Sequence, residues 1–181
     1  MARFTKYFAA LALLLLTFSL HHLQTVLAGN VPAEGKEVAL KAADITSKLF
    51  PEKVFFRGQN AQVQFRNTGG VRFADEFYVL AGLVDNAGYS TGLREKFQGY
   101  LLNEVTLEIG GQTLKPGCYG VGFLGGGKFL IMDIGANDLF DVAAQHDAEM
   151  KRPVPLQVVA GTAGSYRLYA GRDYVEFHRA H

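Results

Sequence analysis

The chain has 181 residues, of which 18 are Lys or Arg and 17 Asp or Glu, and no run of like charge exceeds two residues. That scatter excludes the basic stripe with which nucleic-acid binders replace condensed counterions, and a single cysteine, Cys118, excludes an internal disulfide. Glycine, at 21 residues, exceeds its usual share of about 7%, and 14 Phe with 8 Tyr but no Trp suit a fold of many short strands and tight turns.

Arg3 and Lys6 precede an apolar run, Phe8–Leu20, that only Thr17 and Ser19 interrupt. Val26-Leu27-Ala28 then offers small residues at the positions a signal peptidase reads. The run is shorter than the roughly 18–20 residues of a bilayer-crossing helix. Residues 1–28 are therefore expected to be a cleaved secretory signal peptide, with a retained anchor as the alternative. The expected location is periplasmic or secreted, with no membrane span after cleavage and no cysteine near the cleavage point to accept a lipid. Residues 29–35, with Pro32 and two glycines, read as a flexible leader. Residues 36–181 read as a single β-rich domain, long enough to bury a core without staples.

Val38, Ala42, Ile45 and Leu49 recur at the helical period until Pro51, which predicts a short amphipathic N-terminal helix. A strand through Val38 and Leu40 competes with it. From Lys53 the period is two. Val54–Arg57 and Ala61–Arg66 flank Gly58-Gln59-Asn60 as a hairpin, with Val63 and Phe65 facing inward. Asn67-Thr68-Gly69-Gly70 reads as the next turn, Phe77–Val84 as a strand, Asp85–Gly92 as a loop and Phe97–Asn103 as a strand.

Three strands with turns between them follow in Glu104–Ile134, read as one organising sheet. In the second of these, Tyr119, Val121 and Phe123 share one face and Cys118, Gly120 and Gly122 the other. Cys118 is expected to be a buried small apolar residue. Lys128–Ile134 is apolar on both faces, as a central buried strand would be. Ala136–Met150 is expected to be a helical turn or a loop. The prolines of Lys151–Pro155 exclude a helix interior, and Leu156–Val159, Tyr166–Tyr169 and Tyr174–His178 are further strands.

Few residues suggest chemistry. Gly120, Gly122 and Gly125 match the spacing of a dinucleotide-binding loop, but that loop must open a helix, and Gly126-Gly127 leads into another strand. The glycines are better read as a smooth strand face that a backbone or a flat aromatic ring can approach. His146, with Asp133, Asp138, Asp141 and Glu149 near it in sequence and His178 and His181 toward the C-terminus, is the densest group of metal-ligand types. It has neither a paired-histidine zinc spacing nor a calcium-loop spacing. No Gly-x-Ser-x-Gly elbow occurs. No cofactor is expected. The candidate binding residues are Tyr89, Arg94, Lys96 and Tyr100, in a loop whose Tyr, Arg and small polar residues suit stacking and hydrogen bonding.

Leu114-x-Pro116-Gly117-x-Tyr119-x-Val121-x-Phe123, preceded by Glu104–Gly111, resembles a strand-turn-strand element of secreted bacterial β-domains. It is also similar to the Pro-Gly-x-Tyr turn of transthyretin-like and carboxypeptidase-regulatory sandwich domains. The resemblance implies a sandwich and no catalytic residue. The expected fold is mainly β, an antiparallel β-sandwich or small barrel with one short N-terminal helix. The expected role is an exported non-enzymatic binding or structural module recognising a partner protein or small ligand. A small outer-membrane β-barrel and a metal-dependent hydrolase around His146 are the alternatives.

Overall fold

The computed structural model describes Gly35–Ala180. The signal-peptide reading and the leader up to Glu34 lie outside the described residues, as does His181.

Two antiparallel sheets form. The larger contains β1 (Val38–Leu40), β2 (Lys53–Phe56), β3 (Gln59–Arg72), β4 (Tyr78–Asp85), β5 (Gly99–Asn103), β8 (Gly117–Leu124), β9 (Lys128–Met132) and β10 (Asp138–Ala143). Its order is β1-β3-β4-β5-β8-β9-β10, with β2 on the same edge of β3 as β1 but at the other end. The smaller contains β6 (Leu107–Ile109), β7 (Gln112–Leu114), β11 (Gln145–His146), β12 (Gln157–Ala160), β13 (Tyr166–Ala170) and β14 (Asp173–Arg179). Its order is β12-β13-β14-β6-β7, with β11 beside β14. Neither sheet closes on itself, so the barrel alternative gives way to a sandwich. Among the described residues no helix is long and apolar enough to cross a membrane.

The alternation along each strand determines the layers. Val71, Val79, Ala81, Leu101, Val121, Phe129 and Ile131 of the larger sheet meet Leu107, Ile109, Val158, Leu168, Val175 and Phe177 of the smaller in one core. The opposite residues of the larger sheet, among them Leu80, Val84, Leu130 and Met132, are covered by β2 and by the segments around Ile45, Phe50, Tyr89 and Phe97. β9 thus contributes to a core on each side, as its unbroken apolar run predicts.

Within Gly117–Leu124 the expected faces hold. Val121 enters the inter-sheet core with Tyr119 and Phe123 against it. On the other face a Cβ at Gly120 would meet the Phe56 and Phe97 rings, and one at Gly122 would meet the Lys96 carbonyl. The glycines therefore let a flat aromatic and a backbone approach. Cys118, at the end of that row, is exposed, which corrects its expected burial. In the Pro-Gly-x-Tyr element the Tyr119 hydroxyl donates to the Lys115 carbonyl (2.9 Å). The Tyr119 hydroxyl and ring edge pack closely over Gly117, 3.0 and 3.1 Å from where a Cβ would be.

Four local expectations are corrected by long-range pairing. The helix expected over Glu34–Leu49 is reduced to a 3₁₀ turn at Ala42–Asp44. Val38 and Leu40 instead pair with Arg72 and Gly70 as β1, and Leu40, Ile45 and Phe50 enter the second core. Asn67–Gly70 is strand, not turn, because β4 pairs Thr68, Gly69 and Gly70 while β1 takes the other edge at Gly70. A bulge between Val63 and Thr68 turns both residues toward Gly82. The organising sheet read over Glu104–Ile134 splits: β6 joins the smaller sheet against β14, and β8 and β9 the larger. Asp138–Ala143 forms β10, an edge strand against β9 with a bulge, which protects an exposed edge. The β2–β3 hairpin is present with a tighter turn than expected, at Arg57-Gly58, both at positive φ (50° and 79°), as two-residue hairpins require.

Candidate functional site

The segment between β4 and β5, expected to be loop, contains a short helix, α1 (Thr91–Lys96). Asn86 holds its end: the side-chain amide donates to the carbonyls of Arg94 (3.0 Å) and Phe97 (2.6 Å). This order separates the four expected binding residues. Tyr89 is buried; its hydroxyl donates to the Phe56 carbonyl (3.0 Å) and its ring meets the edges of Phe56 and Phe97. Tyr100 is buried in the same core, and burial, with a contribution from Cys118, raises its phenol well above the ordinary tyrosine value. Lys96 is joined to Asp138 (2.6 Å). Arg94 is exposed. The two rings are therefore part of the packing beneath the loop, while the two cations remain outside it.

The residues grouped around His146 by sequence are also apart in their contacts. His146 Nδ1 lies 2.6 Å from Asp173. Asp138 pairs with Lys96 and Asp141 with Lys128 (3.1 Å). Among the described residues no three His, Cys, Asp or Glu side chains are grouped to hold a metal ion. Asp133 organises its own loop, accepting from Asn137 Nδ2 (2.8 Å) and from the Asn137 and Gly135 N–H groups (both 2.9 Å).

The Asn137 amide, then the Asn137 and Gly135 backbone donors, hold the Asp133 carboxyl below the ordinary aspartate value of 3.8. A depressed folded-state value means that this loop's stabilisation is complete above pH 3.8 and is lost as pH falls through the folded-state value. Carboxyl-carbon NMR titration should give an Asp133 midpoint below 3.8, and Asn137→Ala should move it upward.

Two clefts remain. One, of about 410 Å³, lies at one end of the smaller sheet among Glu37, Phe73, Ser165, Glu176, His178 and Arg179. Four of its polar side chains, Arg179, Glu37, Glu176 and Ser165, have partners. Arg179 grips both Asp75 oxygens (2.8 and 2.7 Å) and lies over the Phe73 ring. Glu37 accepts from the Tyr166 hydroxyl (2.9 Å), which burial and that carboxylate push up to about 12. Glu176 accepts from Arg167, and Ser165 donates to the Thr162 carbonyl. These contacts brace the end of the sandwich.

The other cleft, of about 450 Å³, runs along the seam where the two sheets meet. Ala39 of β1 with Lys41 and Ala42 of the 3₁₀ turn form one wall, Arg66 and Thr68 of β3 the floor, and Val154 and Leu156 with β12 the other wall. The seam is tight because Gly69 has no side chain: a Cβ there would meet the Val158 backbone nitrogen. Pro153 and Pro155 keep the chain extended and leave Val154 41% exposed at the mouth. An exposed valine between two prolines was the one local sign of this groove. Its other wall was hidden by the helix expected through Ala42 and the turn expected at Thr68. No protein-family model matches the chain, no curated protein matches it, and no solved structure matches it.

Proposed function

We propose that the chain is an exported, non-enzymatic binding module whose ligand lies in the seam groove between β1, β3 and β12. The observation that carries this reading is the groove's lining: the accessible apolar residues Ala39, Ala42, Val154 and Val159 border a concavity, with Leu156 and Val158 buried behind them. A predominantly apolar cleft with a few polar groups at its margin is the usual form of a small-molecule site. The groups that could do acid–base or metal chemistry support the same reading, since Asp133, Asp138, Asp141 and His146 each hold a separate structural contact. The likeness of the Pro116-Gly117-x-Tyr119 element to transthyretin-like sandwich domains is compatible with it.

Screening a small-molecule library against the ¹⁵N-labelled protein tests the proposal. Binders should shift amides in segments 39–42, 66–68 and 154–160. Binders that cluster instead on Asp85–Tyr100 or around Arg179, or that are chemically converted by the purified protein, would overturn it.

A further inference from the structure

We infer that the ligand of the seam groove is an anionic amphiphile, its apolar body on Val154, Val159, Ala39 and Ala42 and its carboxylate, or an equivalent anion, held by Lys41 and Arg66. This rests on the binding-module reading above and adds the chemistry of the occupant.

The charges at the groove are of one sign. Lys41 and Arg66 are its charged lining residues, and no acid lines it. Arg72, Lys96, Lys128, His146, Arg167 and Arg179 each lie within 3.4 Å of a carboxylate oxygen. Lys41 and Arg66, like several other cations among the described residues, form no such pair; what sets these two apart is that they stand beside an apolar cleft. The acid nearest Lys41 in sequence, Asp44, accepts the Lys41 backbone N–H (2.9 Å). Of the other polar lining side chains, Thr68 donates to the Phe65 carbonyl (2.8 Å) and the Gln157 amide N–H faces the Met150 sulfur (3.6 Å). What the groove has left to offer is apolar surface and two positive charges. An apolar tail with an anionic head complements both, whereas a cationic head would be repelled.

A small molecule fits better than an added peptide strand. The Gly161 N–H donates to the Ser165 carbonyl, so by strand alternation Val158 turns its backbone groups away from β13. An incoming strand would need that edge, but Gly69 of β3 already lies against the Val158 nitrogen.

The test compares decanoate and decyltrimethylammonium below their micelle concentrations with decanol below its solubility limit, with amide shifts giving both site and affinity. Decanoate should shift the groove amides and weaken with added salt. Decanol should bind about tenfold more weakly, the effect of two exposed charge contacts, and the cation more weakly still. Lys41→Gln with Arg66→Gln should reduce decanoate affinity about tenfold and leave decanol affinity and the melting temperature unchanged. Ala42→Phe, which narrows the groove without touching either charge, should weaken both decanoate and decanol. If decanol binds the groove as tightly as decanoate, or the double substitution changes neither, the anionic assignment fails and the binding-module reading stands. If no probe shifts the groove while screening finds binders there, the amphiphile fails alone. If nothing binds the groove, both fail.

Discussion

Gly122→Val is expected to lower the melting temperature by about 10 °C or to prevent folding. Its Cβ would be driven into the Lys96 carbonyl, at the point where the chain leaves α1 to enter β5. That neighbour is backbone and cannot rotate aside. Gln98 holds the same stretch against β8: its amide donates to the Phe123 carbonyl (3.0 Å) and its side-chain oxygen accepts from the Phe123 N–H (3.0 Å). Relief would require moving the loop and losing those bonds. Overpacking against yielding side chains costs about 1–3 kcal/mol, so a backbone clash should reach the upper end, and in a domain of this size each kcal/mol is about 3 °C. Gly125→Ala is the control, because a Cβ there meets nothing within 4 Å. Thermal melting followed by circular dichroism should separate the two widely; equal melting temperatures would remove the close approach at Gly122. Variant protein that folds should keep ligand binding in the seam groove, which lies at the far edge of the larger sheet, beyond β4 and β5.

Phe56→Ala is expected to cost about 3–5 kcal/mol, the range for truncating a fully buried aromatic. Phe56 is 0% exposed, stacks on Phe97 at 3.8 Å with the planes 13° apart, and meets the edge of Tyr89 at 6.2 Å. Its ring also covers Gly120. That contact makes a second, sharper expectation. Gly120→Val alone should be severely destabilising, but in the Phe56→Ala background the valine would enter space the ring has vacated. The two changes should then be less harmful together than the sum of their separate costs, by at least about 1 kcal/mol, within the range seen for touching residues. Urea denaturation of the four proteins measures this coupling. Strict additivity would mean that the ring and the glycine are not in contact. The same cluster explains why Tyr89 does not serve as a surface residue: its ring completes the group and its hydroxyl is bonded to the Phe56 carbonyl.

Much of the architecture was legible because it depends on short-range alternation. The two apolar faces of Lys128–Ile134, the smooth Gly120-x-Gly122 face and the hairpin around Gly58 are local patterns that tertiary contacts reinforce. The candidate site was barely legible. Tyr89 and Tyr100 have the composition of a recognition loop, and sequence alone cannot distinguish a tyrosine offered to solvent from one whose hydroxyl reaches a buried carbonyl. The groove unites residues 39–42, 66–68 and 154–160, and no local pattern links segments so far apart in sequence.

By itself the sequence determined the mainly β class and which residues of most strands face inward, because a pleated strand shows its burial as a period of two. Only the tertiary structure decided that Val38–Leu40 is a strand rather than part of a helix, and that Asn67–Gly70 continues β3. It also decided that Leu107–Ile109 crosses to the smaller sheet. In each case the backbone's hydrogen-bond partners lie far away in sequence, and satisfying them outweighs a local preference of a fraction of a kcal/mol per residue.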